Sequence, residues 1–199
     1  MPILTMFKFT VPRTTVPSLM RVCLLYSLIA LSGCSLFRTV ERPIDGLILL
    51  PPIQGTTTQV LKQKVTIEKY TQAKQFIAVT RFSPQETKLV ALLPTGQTFL
   101  YLLYDQNGFE EKNDAGVELP SKDILAMIQF TYWPESEIKL GYPESQGWHI
   151  EIKPHQRHLY YKNALLLEIK IEDDNVAIAH HGDRYTTDIH TFDQEVLPL

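Results

Sequence analysis

Three consecutive apolar runs place the narrowest limits on how this chain can fold. They cover residues 75–82, 87–93 and 97–104, and the turn-forming groups Ser83-Pro84 and Pro94-Thr95-Gly96 separate them. Short runs of apolar, β-branched and aromatic residues between turn residues are typical of β-strands. Because the connections are too short for a crossover, we expect neighbouring strands to be antiparallel. The segment therefore predicts an antiparallel β-meander.

These runs are apolar on both alternating faces, which is unusual for a sheet with one solvated side. In the third run, one face carries Phe99, Tyr101 and Leu103, and the other carries Leu100, Leu102 and Tyr104. Two interpretations follow. Either protein covers both faces of the sheet, or one face lines an apolar cavity that binds a ligand.

The remaining chain predicts more strands and one clear helix. Alternating or apolar stretches indicate strands at 46–50, 57–70, 148–153, 158–162, 165–171, 176–180 and 185–192. Ser121 can cap a helix of about three turns that ends before Pro134, and a short second helix is indicated near Ser136. Eight to ten strands with one or two helices predict a mainly β (α+β) fold, a curved antiparallel sheet packed on a helix.

The N-terminus has the layout of a secretory signal. Lys8, Arg13 and Arg21 precede the apolar run 22–31, and no acidic residue occurs before Cys34. About ten apolar residues are too few to cross a bilayer, since a spanning helix needs roughly 20. The leader closes on Leu31-Ser32-Gly33-Cys34, which resembles the lipobox of bacterial lipoproteins.

The lipobox resemblance implies that residues 1–33 are a signal peptide that is removed before Cys34. It also implies diacylglycerol on the sulfur of Cys34 and an acyl group such as palmitate on the new amine. Ser35 follows in place of the aspartate of an inner-membrane retention signal, so the resemblance implies the outer membrane, in its periplasmic leaflet. We expect a lipidated tether over 34–45 and a single β domain over 46–199.

Charge and cysteine usage exclude several classes of function. The mature chain keeps 16 basic and 22 acidic residues, because three of the 19 basic residues and none of the 22 acidic ones precede Cys34. The resulting net charge of −6 argues against nucleic acid as a partner. Cys23 lies in the leader and Cys34 carries the anchor, so the domain has no thiol for a disulfide, a nucleophile or a zinc–thiolate site.

Polar residues give no catalytic or metal-binding signature. The six histidines show no metal-ligand spacing, and the adjacent pair His180 and His181 should point to opposite faces of a strand. The carboxylate pairs Glu135/Glu137 and Asp173/Asp174 fall in predicted turns, and no Gly-x-Ser-x-Gly motif is present. We therefore expect no catalytic residue, no bound metal and no cofactor beyond the lipid on Cys34; the protein is not expected to be an enzyme.

A family resemblance rests on three consecutive blocks, Lys88–Gly96, Thr98–Gly108 and Leu119–Ile128, together with Trp148–Ile152. Their order resembles the middle of LolB-type outer-membrane lipoproteins, in which two strands, an acidic-glycine turn and an amphipathic helix follow one another. Residues 50–199 look still closer to an uncharacterised family of proteobacterial lipoproteins. These are often encoded among fatty-acid- and polyene-type biosynthesis genes, beside carriers that resemble LolA.

The resemblance implies an incomplete β-barrel whose helices cover a concave, apolar interior that holds acyl chains. It implies a lipid or lipoprotein cargo and a LolA-like periplasmic carrier as partners. By alternation and helix face, the lining residues are predicted to be Phe76, Phe99, Tyr101, Leu103 and Met127. LolB-type proteins expose a leucine on a protruding loop, whereas Thr95 occupies that position here. The alternative function is a membrane-tethered interaction or scaffold lipoprotein that binds no small ligand.

Overall fold

The computed structural model describes residues 46–116 and 119–198, so Cys34, the predicted signal peptide and the whole of the predicted tether lie outside the described residues. Within these described residues, ten strands and two helices follow the order β1–β5, α1, α2, β6–β10. The strands before the helices are β1 Thr58–Lys69, β2 Gln72–Phe82, β3 Glu86–Leu92, β4 Thr98–Asp105 and β5 Gly108–Asn113. The helices are α1 Ser121–Tyr132 and α2 Glu135–Gly141, and one 3-10 turn follows at Glu144–Gln146. The later strands are β6 Trp148–Lys153, β7 Gln156–Tyr161, β8 Ala164–Glu172, β9 Asn175–His180 and β10 Tyr185–Leu197.

All ten strands form one antiparallel sheet in the order β5-β4-β3-β2-β1-β10-β9-β8-β7-β6. Each half is a meander, and the halves join where the first and last strands pair, with Val65 opposite Ile189. The edge strands β5 and β6 do not pair with each other, so the sheet is open and is not a closed barrel. This confirms the predicted mainly β fold, an open antiparallel sheet with two helices.

The sheet has a face that packs against the helices, called the inward face, and an opposite outward face. On the inward face Leu61, Leu102, Leu159 and Ile169 are 0–2% exposed, and they share one apolar core with Phe130 of α1. Burying such side chains contributes roughly 1.5–3 kcal/mol each, so this face is where the sheet and the helices are held together.

Helix α1 begins and ends close to the predicted residues, although its first turn differs in detail. Ser121 is its first helical residue and makes no capping bond; its hydroxyl donates instead to Glu111 of β5 at 2.7 Å. At the other end Trp133 is the C-cap and Pro134 follows, as expected for a residue that cannot continue a helix. The second helix near Ser136 is also present.

The strand predicted at residues 46–50 is wrong. This segment is extended but pairs with no strand of the described sheet. Pro51 and Pro52 follow it, and proline has no backbone N–H to donate to a sheet ladder. The segment lies against the helices instead. Strand β5 received no prediction of its own, because Phe109 is its one large apolar residue.

Candidate functional site

Helix α1 crosses the inward face from one half of the sheet to the other. Its start bonds to β5 through Ser121 and Glu111, and near its end Tyr132 accepts a hydrogen bond of 2.6 Å from Gln63 on β1. Beyond the sheet's centre, Arg157 of β7 donates to the carbonyl oxygens of Phe130 and Trp133 at 2.8 and 2.7 Å. One helix therefore covers the inward face of both halves.

The tyrosines under this cover are hydrogen-bonding groups held in their neutral form. Burial raises the pKa of Tyr132, of Tyr142 on the chain after α2, and of Tyr185 on β10. A phenol with a raised pKa stays protonated at neutral pH, so none of the three supplies a phenolate nucleophile. Their role in the site is to position helices and strands.

The segment Gly46–Ile53, called the strap, fastens the helices. Asp123 of α1 accepts a bond from the Leu47 N–H at 2.8 Å. Gln129 of α1 accepts from the Leu50 N–H at 2.9 Å and donates to the Leu50 carbonyl at 2.8 Å. The Tyr142 hydroxyl accepts from the Ile48 N–H at 3.2 Å and donates to its carbonyl at 3.0 Å. Side chains of the helices thus satisfy backbone groups that a sheet would otherwise pair.

The apolar surface of the inward face is less well covered at one end, which we call the mouth, formed by Ile67, Phe76 and Phe99. All three are half-buried and pack against the core, and the Phe76 and Phe99 rings meet edge to face at 5.4 Å. The mouth lies at the end of these strands where the β1–β2 and β3–β4 connections are found. Here the inward face offers apolar surface that the cover leaves partly accessible.

Two polar groups flank the mouth on the neighbouring strands. Directly opposite Ile67 on β2 is the exposed Lys74, and opposite it on β10 is Thr187. Residues directly opposite each other in an antiparallel pair have side chains on the same face. The Thr187 hydroxyl is buried and has no hydrogen-bond partner among the described residues. A cation and an unpaired hydroxyl therefore lie on either side of one apolar side chain.

The β3–β4 loop beside the mouth is a tight turn. Gly96 donates to the Leu93 carbonyl and Leu93 donates to the Gln97 carbonyl, both at 2.8 Å. Gly96 has φ +85°, a value that glycine adopts without the steric cost met by other residues. Thr95 is exposed as expected, but Leu93 of the same loop is also 39% exposed. The loop therefore does present a leucine to solvent.

Residues 60–193 match the model of a protein family described as protein of unknown function, DUF3261. The chain belongs to the DUF3261 family. This confirms the expected membership of a domain family of unknown function.

Comparison with solved structures adds one described neighbour for this DUF3261 chain. It is a "putative outer membrane lipoprotein-sorting protein domain" from Vibrio parahaemolyticus, 10% identical, with a TM-score of 0.39. The match covers 72% of this chain and 87% of the other. None of the curated proteins matches the sequence significantly. Within residues 46–116 and 119–198, neither helix has the length and apolar character needed to cross a bilayer.

The structure brings three of the five predicted lining residues of the DUF3261 chain to the inward face. Met127 of α1 is buried there, next to the Tyr185 hydroxyl, and Phe76 and Phe99 form part of the mouth. Tyr101 and Leu103 lie on the outward face, because Leu100 and Leu102 of the same strand point into the core. Reasoning from alternation alone missed Ile67, Lys74 and Thr187, whose placement depends on cross-strand register.

The outward face differs between the two halves of the sheet. In the first half it carries six half-buried apolar side chains that stand outside the core; we call them the outward patch: Ile77, Val79, Val90, Leu92, Tyr101 and Leu103. The Lys88 ammonium lies 5.0 Å from the centre of the Tyr101 ring. The second apolar face of these strands is therefore neither core nor part of the mouth.

In the second half the outward face is polar and titratable. His158 lies 3.2 Å from Glu151 and 2.8 Å from the Gln156 amide, and His149 lies 3.8 Å from Glu151. His181 is on this face and His180 is buried on the inward one, which confirms that the two point to opposite sides. Across residues 46–116 and 119–198, no group of three or more such side chains is arranged to hold a metal ion.

A shallow cleft of about 400 Å³ also opens on the outward face, across β1, β10, β9 and β8. Its walls combine cations such as Lys64 and Lys170 with the carboxylates Glu172 and Asp188. Opposite charges of this kind on exposed strands partly neutralise one another and are screened by salt. Val176, Ala177 and Ile189 add apolar surface to a lining that is otherwise polar, so the cleft is of mixed character.

Proposed function

We propose that this protein is a lipid-handling lipoprotein of the outer membrane, which accepts the acyl chain of a lipid or lipid-linked product at the mouth. The anchor at Cys34 holds it in the periplasmic leaflet. A LolA-like periplasmic carrier is the partner that would deliver cargo, either a lipoprotein or a biosynthetic product. In this proposal the protein binds and transfers its cargo and does not catalyse a reaction.

The observation that carries this proposal is the partly covered apolar surface of Ile67, Phe76 and Phe99, which continues into the core beneath α1. An acyl chain needs dry apolar surface and little directional recognition, and each methylene that it buries contributes about 0.8 kcal/mol. The Phe76 and Phe99 rings, whose centres lie 5.4 Å apart, form a continuous apolar surface against which such a chain could pack. The mouth offers such surface without requiring the sheet to unfold.

The polar groups beside the mouth suit the other end of an amphiphile. Lys74 supplies a positive charge for a carboxylate or phosphate, and the Thr187 hydroxyl supplies a hydrogen bond to an ester or acid oxygen. A buried hydroxyl without a partner costs about 1–3 kcal/mol, which a bound oxygen would recover. The exposed Leu93 extends the apolar rim toward the membrane or the carrier.

Titration of protein without acyl groups on Cys34 with a fluorescent fatty acid tests the proposal. We expect saturable binding of one chain per protein, at least tenfold weaker for Phe76→Ser. Ile77→Ser is the matched control, because the next residue along β2 belongs to the outward patch, and its affinity should be unchanged. Lys74→Gln should weaken binding of the acid more than of its methyl ester. Absence of saturable binding in the folded wild-type protein would contradict the proposal.

The outward patch favours a second candidate function, a tethered interaction module. Six contiguous apolar side chains on a solvated sheet face are typical of a protein-binding surface. In that case Ile77→Ser would abolish capture of a specific envelope partner. Neither Phe76→Ser nor Ile77→Ser would bind lipid. The two functions therefore predict opposite effects for substitutions at the neighbouring residues Phe76 and Ile77 of β2.

A further inference from the structure

The strap follows helix α1 closely for most of its length. Leu47 bonds near the start of the helix at Asp123, and Leu50 bonds at Gln129. Three extended residues advance by about 10 Å, and six helical residues advance by about 9 Å. The two segments therefore run side by side, and the hydrogen-bonding groups of the strap stay in step with one side of the helix.

Two glycines permit this close approach. Gly46 has φ +75°, and a Cβ at this position would overlap the Asp123 carboxylate. A Cβ at Gly141, the last residue of α2, would overlap the Leu50 side chain. Leu47 and Leu50 are 6% and 3% exposed, so the strap also buries apolar surface against the helices. Backbone approach and side-chain burial hold the strap in one position.

The strap joins both helices to one piece of chain. Asp123 and Gln129 belong to α1, and Tyr142 follows α2 directly. Gln129 is fully buried and its amide also lies 3.4 Å from the Thr87 hydroxyl of β3. Releasing the strap would leave buried polar groups of the helices without hydrogen-bond partners, which destabilises the released state. The helices then lose one of the connections that hold them on the inward face.

The strap is also the first described part of the chain after the tether. Eleven residues lie between Cys34 and Gly46, and a fully extended chain over this stretch reaches at most about 40 Å. We propose that the strap is a latch between the membrane anchor and the helix cover, so that displacing the strap frees α1 and α2 from the inward face. Its link to the membrane anchor and its part in lipid uptake rest on the proposed function; the fastening of α1 and α2 by the strap does not.

Hydrogen exchange of the complete mature protein in detergent micelles tests the latch. Tyr142→Phe removes both bonds to Ile48, and Leu50→Ala removes the side chain packed at Gly141. We expect each variant to exchange the amides of residues 121–141 at least tenfold faster than wild type. Protection of β7, β8 and β9 should stay within twofold, because the strap has no hydrogen bond to these strands among the described residues.

Leu167→Ala is the matched control, because Leu167 is fully buried in β8 and belongs to the sheet, not to the strap or the helices. This variant should accelerate exchange in the sheet and the helices together. The latch is overturned if the strap variants raise exchange of helices and sheet in equal proportion. Uptake of a fluorescent fatty acid should also be several-fold faster in Tyr142→Phe. If the wild-type protein takes up no lipid, the proposed function fails, and the exchange pattern still decides the latch.

Discussion

The two five-stranded halves of the sheet are alike on the inward face and different on the outward face. Both contribute fully buried aliphatic side chains beneath the helices, such as Leu102 from β4 and Leu159 from β7. On the outward face the first half carries the outward patch, whereas the second half carries histidines and carboxylates such as His158 and Glu151. The helix cover therefore determines the inward face in both halves, while the outward face is free to differ.

This difference explains where alternation in the sequence is informative. In β6, Ile150 and Ile152 alternate with His149 and Glu151, so the pattern of the strand itself identifies the core-facing residues. In β4 every position from Phe99 to Tyr104 is apolar, and alternation gives two equally apolar faces. The strand's inward face is fixed by its register with β3, where Leu89 pairs with Leu102.

Neighbouring leucines of β4 provide the strongest test of this contrast. Leu102 is fully buried on the inward face, and Leu103 is half-buried in the outward patch. We expect Leu102→Ala to lower the free energy of unfolding by about 3–4 kcal/mol, since it leaves a cavity in the core. Leu103→Ala should cost less than about 1 kcal/mol. Urea denaturation of both variants measures the difference, and equal losses would show that both faces are core.

Two glutamines, one buried and one exposed, should also differ in their effect on stability, by a smaller amount. Gln129→Ala removes the paired bonds to Leu50 inside the helix cover and should cost about 2–3 kcal/mol, because the strap's backbone groups lose their partners. Gln75 lies exposed on β2 and donates to Thr66 at 3.2 Å. Its replacement by Ala should change stability by less than about 0.5 kcal/mol. A large loss of stability for Gln75→Ala would contradict the distinction between the inward and outward faces.

The smallest expected effect concerns acid stability of the second half. The hydrogen bond from His158 lowers the pKa of Glu151 below its ordinary value of 4.5. A carboxyl group whose pKa is lower in the folded state stabilises the fold above pH 4.5, and this stabilisation is lost as the pH falls through the folded-state pKa. Thermal melts between pH 6 and 3 should therefore fall less steeply for Glu151→Gln than for wild type.

His158→Gln removes the other partner of the same bond and should flatten the acid limb of the curve to a similar extent. The double variant should add little to either single one, because both substitutions remove one interaction. Additive effects would place the acid sensitivity elsewhere on the molecule.

Local signals in the sequence predicted most of the elements. Turn residues separated β2, β3 and β4, and the period of the apolar residues together with Pro134 located α1. The strap could not be predicted, because its partners Gln129 and Tyr142 are 79 and 94 residues away in sequence. Residues 46–50 are as apolar as a strand, and what they pair with depends on tertiary packing.

The candidate site was predicted in part for the same reason. Phe76, Phe99 and Met127 were chosen by alternation and helix face. Phe99 faces inward although Tyr101 and Leu103 do not, because the pairing of β3 with β4 shifts register between Ala91 and Leu92. Lys74 and Thr187 were missed, because no sequence pattern in their own strands distinguishes them. Only the pairing of β1 with β2 and β10 places them beside Ile67. Cys34 lies outside the described residues, and the lipid anchor stays a prediction.

Mass spectrometry of lipids that co-purify with the folded domain is the most direct test of lipid binding at the mouth. The protein would be exported through a leader without a lipobox, purified without detergent and analysed in its native state. We expect one acyl-chain lipid per protein that is released on denaturation, retained in Ile77→Ser and lost in folded Phe76→Ser. Wild-type protein that remains free of lipid, even after incubation with excess envelope lipid, would show that the mouth does not bind acyl chains.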